Sequence, residues 1–333
     1  MDSITKKNCQ TLLKNRAIIK KAAKWDYGLN QWLAALLCTM EGTNITEERI
    51  RSMRALLKEN TGITSRFRGT FSLPAAAVLA TSRSSSSLLK NALRFEEALR
   101  EQGFRRSQYS VLPALLTANS SLPAGLPTIA RRSKMFYDAM RENHRLRVSD
   151  KDYSTAIILA STELGVEEVI NDSERCYEIL RPQFPRKTAA LGLSYILALD
   201  PSRPELKCQR VVDIYEALKD QGLKYGTSYE LPSLGILALY AASPQAIAAD
   251  IGEIVAYLRQ QKGCGHFSLS RTQILMFAGA LLGLSQETGE AHSQSLTIAA
   301  SSAALVLATQ AAIVASIAAT SAATAASSSS SSS

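Results

Sequence analysis

No stretch of the 333 residues carries a catalytic signature: a phosphate-binding glycine loop, a nucleophile elbow, an HExxH helix and an ordered carboxylate pair are all missing. Fold and surface must therefore carry the functional reading. The β-branched alternation of strands is also missing, which excludes a sheet-based core. The five cysteines, Cys9, Cys38, Cys176, Cys208 and Cys264, are odd in number and widely scattered. That spacing excludes a disulfide framework and points to a reduced, cytoplasmic setting. The nearest approach to a metal pattern, Cys264-Gly265-His266 with a distant Cys208 or His144, lacks a second close pair, so neither metal nor cofactor is expected. No secretory leader is read either. Lysines interrupt the apolar runs near the N-terminus, and "WLAALLC" at 32–38 is too short and too late for a signal core.

What is present is repetition. "EALREQG" at 97–103 is answered by "EALKDQG" at 216–222. Six such phrases begin at Leu57, Leu99, Met140, Leu180, Leu218 and Leu258, with separations of 42, 41, 40, 38 and 40 residues. A near-constant period of this size predicts a helical-hairpin repeat array. Residues seven, four and three positions before each anchor complete the stripe of an amphipathic helix, here called A. In the last two copies they are Val211, Ile214 and Tyr215, then Ile251, Ile254 and Val255. Gly62, Gly103, Gly222 and Gly263 stand where left-handed C-terminal caps belong. The recurrent Tyr137, Tyr177 and Tyr215 read as core residues with hydroxyls at its edge.

A second helix, B, follows each A. Three copies announce it with Leu-Pro, at 73–74, 112–113 and 231–232, since proline suits a first helical turn. The B segments are apolar nearly all round, as in "LPSLGILALY" at 231–240, and so require cover on every side. The expected organisation is all-α: an N-terminal helical cap over 1–44, six A–B hairpins over 45–290, an Ala-rich helix over 291–326 packed on the array, and a disordered serine tail over 327–333. The array is an α-solenoid or a closed α/α toroid, and the periodicity is compatible with both. From Ala291 onward there is no charged residue. This segment is long enough to cross a bilayer, but its Ser, Thr and Gln310 and its lack of basic or aromatic anchors favour packing on the B layer over a membrane span.

The most informative polar pattern lies in the A–B loops. They carry Arg66 and Arg68, Arg105 and Arg106, Arg145 and Arg147, Arg186 and Lys187, Lys224, and Lys262, on a chain of net charge +9. Stacking brings these loops to one rim. Cations just past a helix C-terminus also offset its dipole, so capping and anion binding are competing readings of the same residues. The loop aromatics Phe67, Phe104, Tyr109, Tyr225 and Phe267 favour an anionic ligand with stacking faces. The expectation is a non-catalytic binding or scaffold protein that holds a protein or polyanion at this rim. The alternative is an α/α-toroid enzyme acting on a small molecule in a central cavity. The oligomeric state is left open.

At "NITEERIRSMRALLKENTGITSRFRG", "YELPSLGILAL", "LRQQKGCGHFSLSRTQILMFAGALL" and the Ala/Ser tail, the chain resembles an uncharacterised bacterial helical family, domain of unknown function four thousand and three. The resemblance extends over nearly the whole length. It implies a cytoplasmic bacterial helical protein without an assigned biochemical role, and it brings no functional residues with it.

Overall fold

The computed structural model describes residues 1–119, 125–265 and 268–286. Within them the chain forms fourteen α-helices and no strand. These are α1 (Ser3–Ala22), α2 (Gly28–Met40), α3 (Glu47–Asn60), α4 (Ser72–Thr81), α5 (Ser85–Glu101), α6 (Val111–Asn119), α7 (Leu126–His144), α8 (Tyr153–Ala160), α9 (Val166–Leu180), α10 (Lys187–Leu197), α11 (Pro204–Asp220), α12 (Leu231–Ala238), α13 (Pro244–Arg259) and α14 (Arg271–Gln286). The Ala-rich helix expected over 291–326 and the serine tail over 327–333 lie outside the described residues, as do His266 and Phe267.

The odd-numbered helices are amphipathic and the even-numbered ones apolar, and that difference sorts them into two layers. In α3, for example, only Ile50, Met53 and Leu57 are buried, one stripe of a largely charged helix. In α8 and α12 every residue is buried. Each odd helix packs on the even helix that follows it, and neighbouring odd helices pack on one another from α1 round to α13. Both α13 and α14 then pack against α1. At this junction the hydroxyls of Thr5 and Ser285 lie 2.6 Å apart, and the Trp32 ring of α2 meets that of Phe277 in α14 at 5.9 Å. The array thus closes on itself, with odd helices outside and even helices inside. The N-terminal pair α1–α2 bridges its two ends.

All six anchor residues are buried on the outer helices, with Leu218 wholly inaccessible. Their backbone explains the near-duplicate phrases. Gly103 and Gly222 take φ of 88° and 73°, a left-handed conformation that side chains disfavour. The turn lets Phe104 N–H reach the carbonyl of anchor Leu99 at 3.1 Å, and Leu223 N–H that of Leu218 at 2.9 Å. This is a Schellman closure. Gly263 also has positive φ, but Gly62 does not, which corrects the expected fourth cap. There α3 runs out through an extended Thr61, and the Arg68 guanidinium takes the free carbonyls of Lys58 and Thr61.

Between neighbouring outer helices the recurrent tyrosines interlock with rings at or just past the end of the preceding outer helix. Tyr137 packs on Phe104 at 5.5 Å, Tyr177 on His144 at 5.1 Å and Tyr215 on Phe184 at 5.4 Å. Tyr137 and Tyr177 are buried and Tyr215 half-buried, as expected of core residues. In α5 the corresponding position holds Glu96, whose carboxyl is held above its usual range by burial, against the pull of Arg106 and Arg100. Among the inner helices α10 and α12 approach closely. A Cβ on Gly235 would come within 2.8 Å of the Leu193 side chain.

Candidate functional site

The alternation of outer and inner helices puts every outer-to-inner loop on one face of the ring. Hydrogen bonds tie successive loops together there. Asn30 donates to the Thr70 carbonyl at 2.7 Å, Ser107 to Asp150 at 2.9 Å, Ser154 to the Tyr109 carbonyl at 2.8 Å, and Arg186 to Ser228 at 3.1 Å. Arg54 of α3 pairs with Asp26 of the first loop at 2.6 Å.

Nine of the ten loop cations marked in the sequence, all but Lys262, form the candidate anion site, and they divide into two groups on this face. Arg68 is spent on the end of α3, Arg147 lies 3.4 Å from His144 Nδ1, and Arg186 bridges to the next loop. Arg66, Arg105, Arg106, Arg145, Lys187 and Lys224 are exposed. Among the described residues none of these six forms an ion pair with a carboxylate. The acids of this face serve local structure. Asp152 accepts from Ser149 N–H at 2.8 Å and Glu230 from Ser228 N–H at 3.0 Å. Desolvation raises the Asp152 carboxyl to about 6, against the pull of that Ser149 hydrogen bond.

The loop aromatics do not support the cations as the sequence led one to expect. Phe67, Phe104, Tyr109 and Tyr225 are all buried; Phe104 packs on Tyr137 and Tyr153 of the next helix pair, and the Tyr225 hydroxyl lies 2.6 Å from that of Ser233 in its own. They offer no face to a base or ring in solution. Among the described residues the exposed aromatics of this rim are instead Trp25 and Tyr27, 92% and 41% exposed, with Lys24 5.3 Å above the Trp25 ring.

The opposite face has a different charge and a different use for arginine. Exposed acids dominate it: Glu41, Glu48, Glu163, Glu167, Glu168 and Glu205, several of them in first helical turns where the dipole favours an anion. Three arginines reach it from the outer helices, and each closes the C-terminal end of an inner one. Arg49 donates to the carbonyls of Ala80 and Ser82, Arg132 to those of Ala160, Thr162 and Leu164, and Arg210 to those of Ala238, Tyr240 and Ala242. Composition reasoning missed this set, although a signal was present: each stands eight residues before an anchor, at Leu57, Met140 and Leu218. The intervening copies have Asn91, Asp172 and Asp250 at that position. At Asp172 the role passes to Lys207 of the next outer helix. Its buried ammonium bonds the Asp172 carboxylate and the Asp200 carbonyl beyond α10.

No acidic residue occurs in any inner helix, from α2 to α14. Among the described residues no three His, Cys, Asp or Glu side chains gather as a metal site would need, and all five cysteines are buried thiols. No helix among them is long and apolar enough to cross a membrane.

A family whose description reads protein of unknown function (DUF4003) matches residues 15–312, so the chain belongs to that family. No curated protein and no solved structure matches.

Proposed function

We propose that this member of the DUF4003 family is a cytoplasmic, non-catalytic binding or scaffold protein, built of repeated helical hairpins, whose basic rim takes an anionic partner. The observation that carries this reading is the set of six exposed rim cations that have no carboxylate partner among the described residues. Helix dipoles account for their sign, since outer helices end on this face. Capping accounts only for cations that touch carbonyls, and Arg68 alone among the nine does so. The remaining charge is available to a ligand.

The test is binding of heparin and duplex DNA across a salt series. Counterion release makes affinity fall steeply with salt. Reversing Arg105, Arg106, Arg186 and Lys187 to Glu should abolish binding while the helical signal is kept. Absence of binding at low salt, or binding that survives the reversal, removes the proposal.

The toroid-enzyme alternative gains from closure of the ring and from two buried polar groups on inner helices, Trp32 Nε1 and Tyr195 Oη, that find no hydrogen-bond partner among the described residues. It loses from inner helices that carry no carboxylate. Native mass spectrometry of the purified protein decides for it if a small molecule is retained and Tyr195→Phe releases it.

A further inference from the structure

The exposed apolar side chains of this protein are unevenly placed. Leu146 is 99% exposed, Trp25 92% and Ile63 88%, and each lies in a different loop of the basic rim. Tyr27 and Ile179 reach the same face less fully, while Leu206, 62% exposed, and Ile4 begin outer helices on the opposite one. Single exposed apolar residues are ordinary on a soluble surface, but the three that are almost bare all occupy loops on one side of the ring. Cations accompany each of them: Lys24 lies over Trp25, Arg66 follows Ile63 by three residues in the same loop, and Leu146 stands between Arg145 and Arg147. These three loops belong to the first, second and fourth helix pairs, and the loop between the second and fourth carries Arg105 and Arg106. Apolar tips and cations therefore share one half of one face.

From this placement we propose that the basic rim docks on an anionic lipid surface, with Trp25, Ile63 and Leu146 entering the headgroup layer and the surrounding arginines and lysines meeting lipid phosphates. The inference rests on the anion-binding reading of the rim and specifies its partner. A polyphosphate chain leaves Ile63 and Leu146 without a role, whereas a bilayer uses both halves of the pattern: apolar tips partition past the headgroups and cations gain from the negative surface potential. Loops on one face of a closed ring meet a flat target together, as a groove for a single strand would not require. Tryptophan and tyrosine suit the interfacial depth because the ring is apolar and its polar atom stays wet. The opposite face, with its exposed glutamates, is repelled by the same surface and sets the orientation.

Flotation of the full chain with vesicles of phosphatidylcholine alone, and of phosphatidylcholine mixed with an equal part of phosphatidylglycerol, tests the proposal. Binding is expected only with the anionic lipid. Each rim cation should contribute about fivefold in partition, so Arg105→Glu with Arg106→Glu should cut binding by at least about 25-fold. Trp25→Ser with Ile63→Ser and Leu146→Ser should do the same without altering the melting curve, since these side chains touch little in the folded protein. Trp25 also reports directly: the other tryptophan, Trp32, is buried, so a blue shift and loss of iodide quenching on vesicle addition mark entry of Trp25 into the headgroup layer. If vesicles bind but the triple serine variant binds equally and the emission stays put, insertion is wrong. If heparin or DNA binds and anionic vesicles do not, the lipid assignment falls and the anion-binding reading stands. If none of these binds, both fall.

Discussion

The two faces of the ring use the same residue type for opposite ends. On the acidic face Arg49, Arg132 and Arg210 are absorbed into the fold, each closing the last turn of an inner helix. On the basic face Arg66, Arg105, Arg106 and Arg145 lie in the open. The difference comes from where the arginine is rooted. A guanidinium set in the first two turns of an outer helix is led along the neighbouring inner helix and meets carbonyls at its C-terminal end, which the helix itself leaves without donors. A guanidinium rooted in a loop has already passed the helix end. Arginine content alone therefore says nothing about binding; the part of the hairpin that carries it does.

The largest effect is expected where the acidic face holds a buried charge. Asp172→Ala leaves the Lys207 ammonium with one carbonyl as its remaining partner, and stranding a buried charge costs about 3–5 kcal/mol. Denaturant unfolding should show the loss, and adding Lys207→Met should recover much of it. A loss under about 1 kcal/mol would mean that Lys207 escapes to water and the face is looser than described.

Next comes a direct contrast between faces. Arg210→Met removes charge-assisted bonds to three carbonyls and should cost about 2–3 kcal/mol, whereas Arg105→Ala should fall within about 0.5 kcal/mol of the parent. Equal costs would erase the distinction between absorbed and available arginines.

The smallest effect concerns pH at the basic face. The folded-state pKa of Asp152 lies at about 6, above its ordinary value of 3.8. The folded protein therefore holds this proton more tightly than the unfolded chain. The resulting stability is complete below about pH 4 and is lost as pH rises through 6. Asp152→Asn should flatten that part of the stability profile, by on the order of 1 kcal/mol, and melting curves between pH 4 and 7 measure it. A profile that keeps its slope in the variant would place the titration elsewhere.

Much of this architecture was legible in the chain. The anchors, the buried stripe and the Leu-Pro starts follow from helical periodicity, a local property that a neighbour can modulate but not reverse. The Gly62 cap misled because a glycine after a helix is only a preference, and Arg68 was there to take the carbonyls instead. The rim was half legible. The sequence placed cations in the loops, but it could not distinguish Arg186, which bridges to Ser228, from Lys187 beside it, which stands free. Nor could it show that the loop aromatics Phe67 and Phe104 turn inward while Trp25 and Leu146 turn out.

By itself, then, the sequence determined a stack of paired helices with one charged layer and one apolar layer, since amphipathic period and composition decide which helix can face water. Whether the stack stays open or closes was decided only in three dimensions. Closure depends on the small rotation between successive pairs accumulating until α13 and α14 meet α1, a sum over many packing contacts that no single segment encodes. The same closure brings the loops onto a common face, and the fit of each loop against its neighbours decides which side chains remain in water.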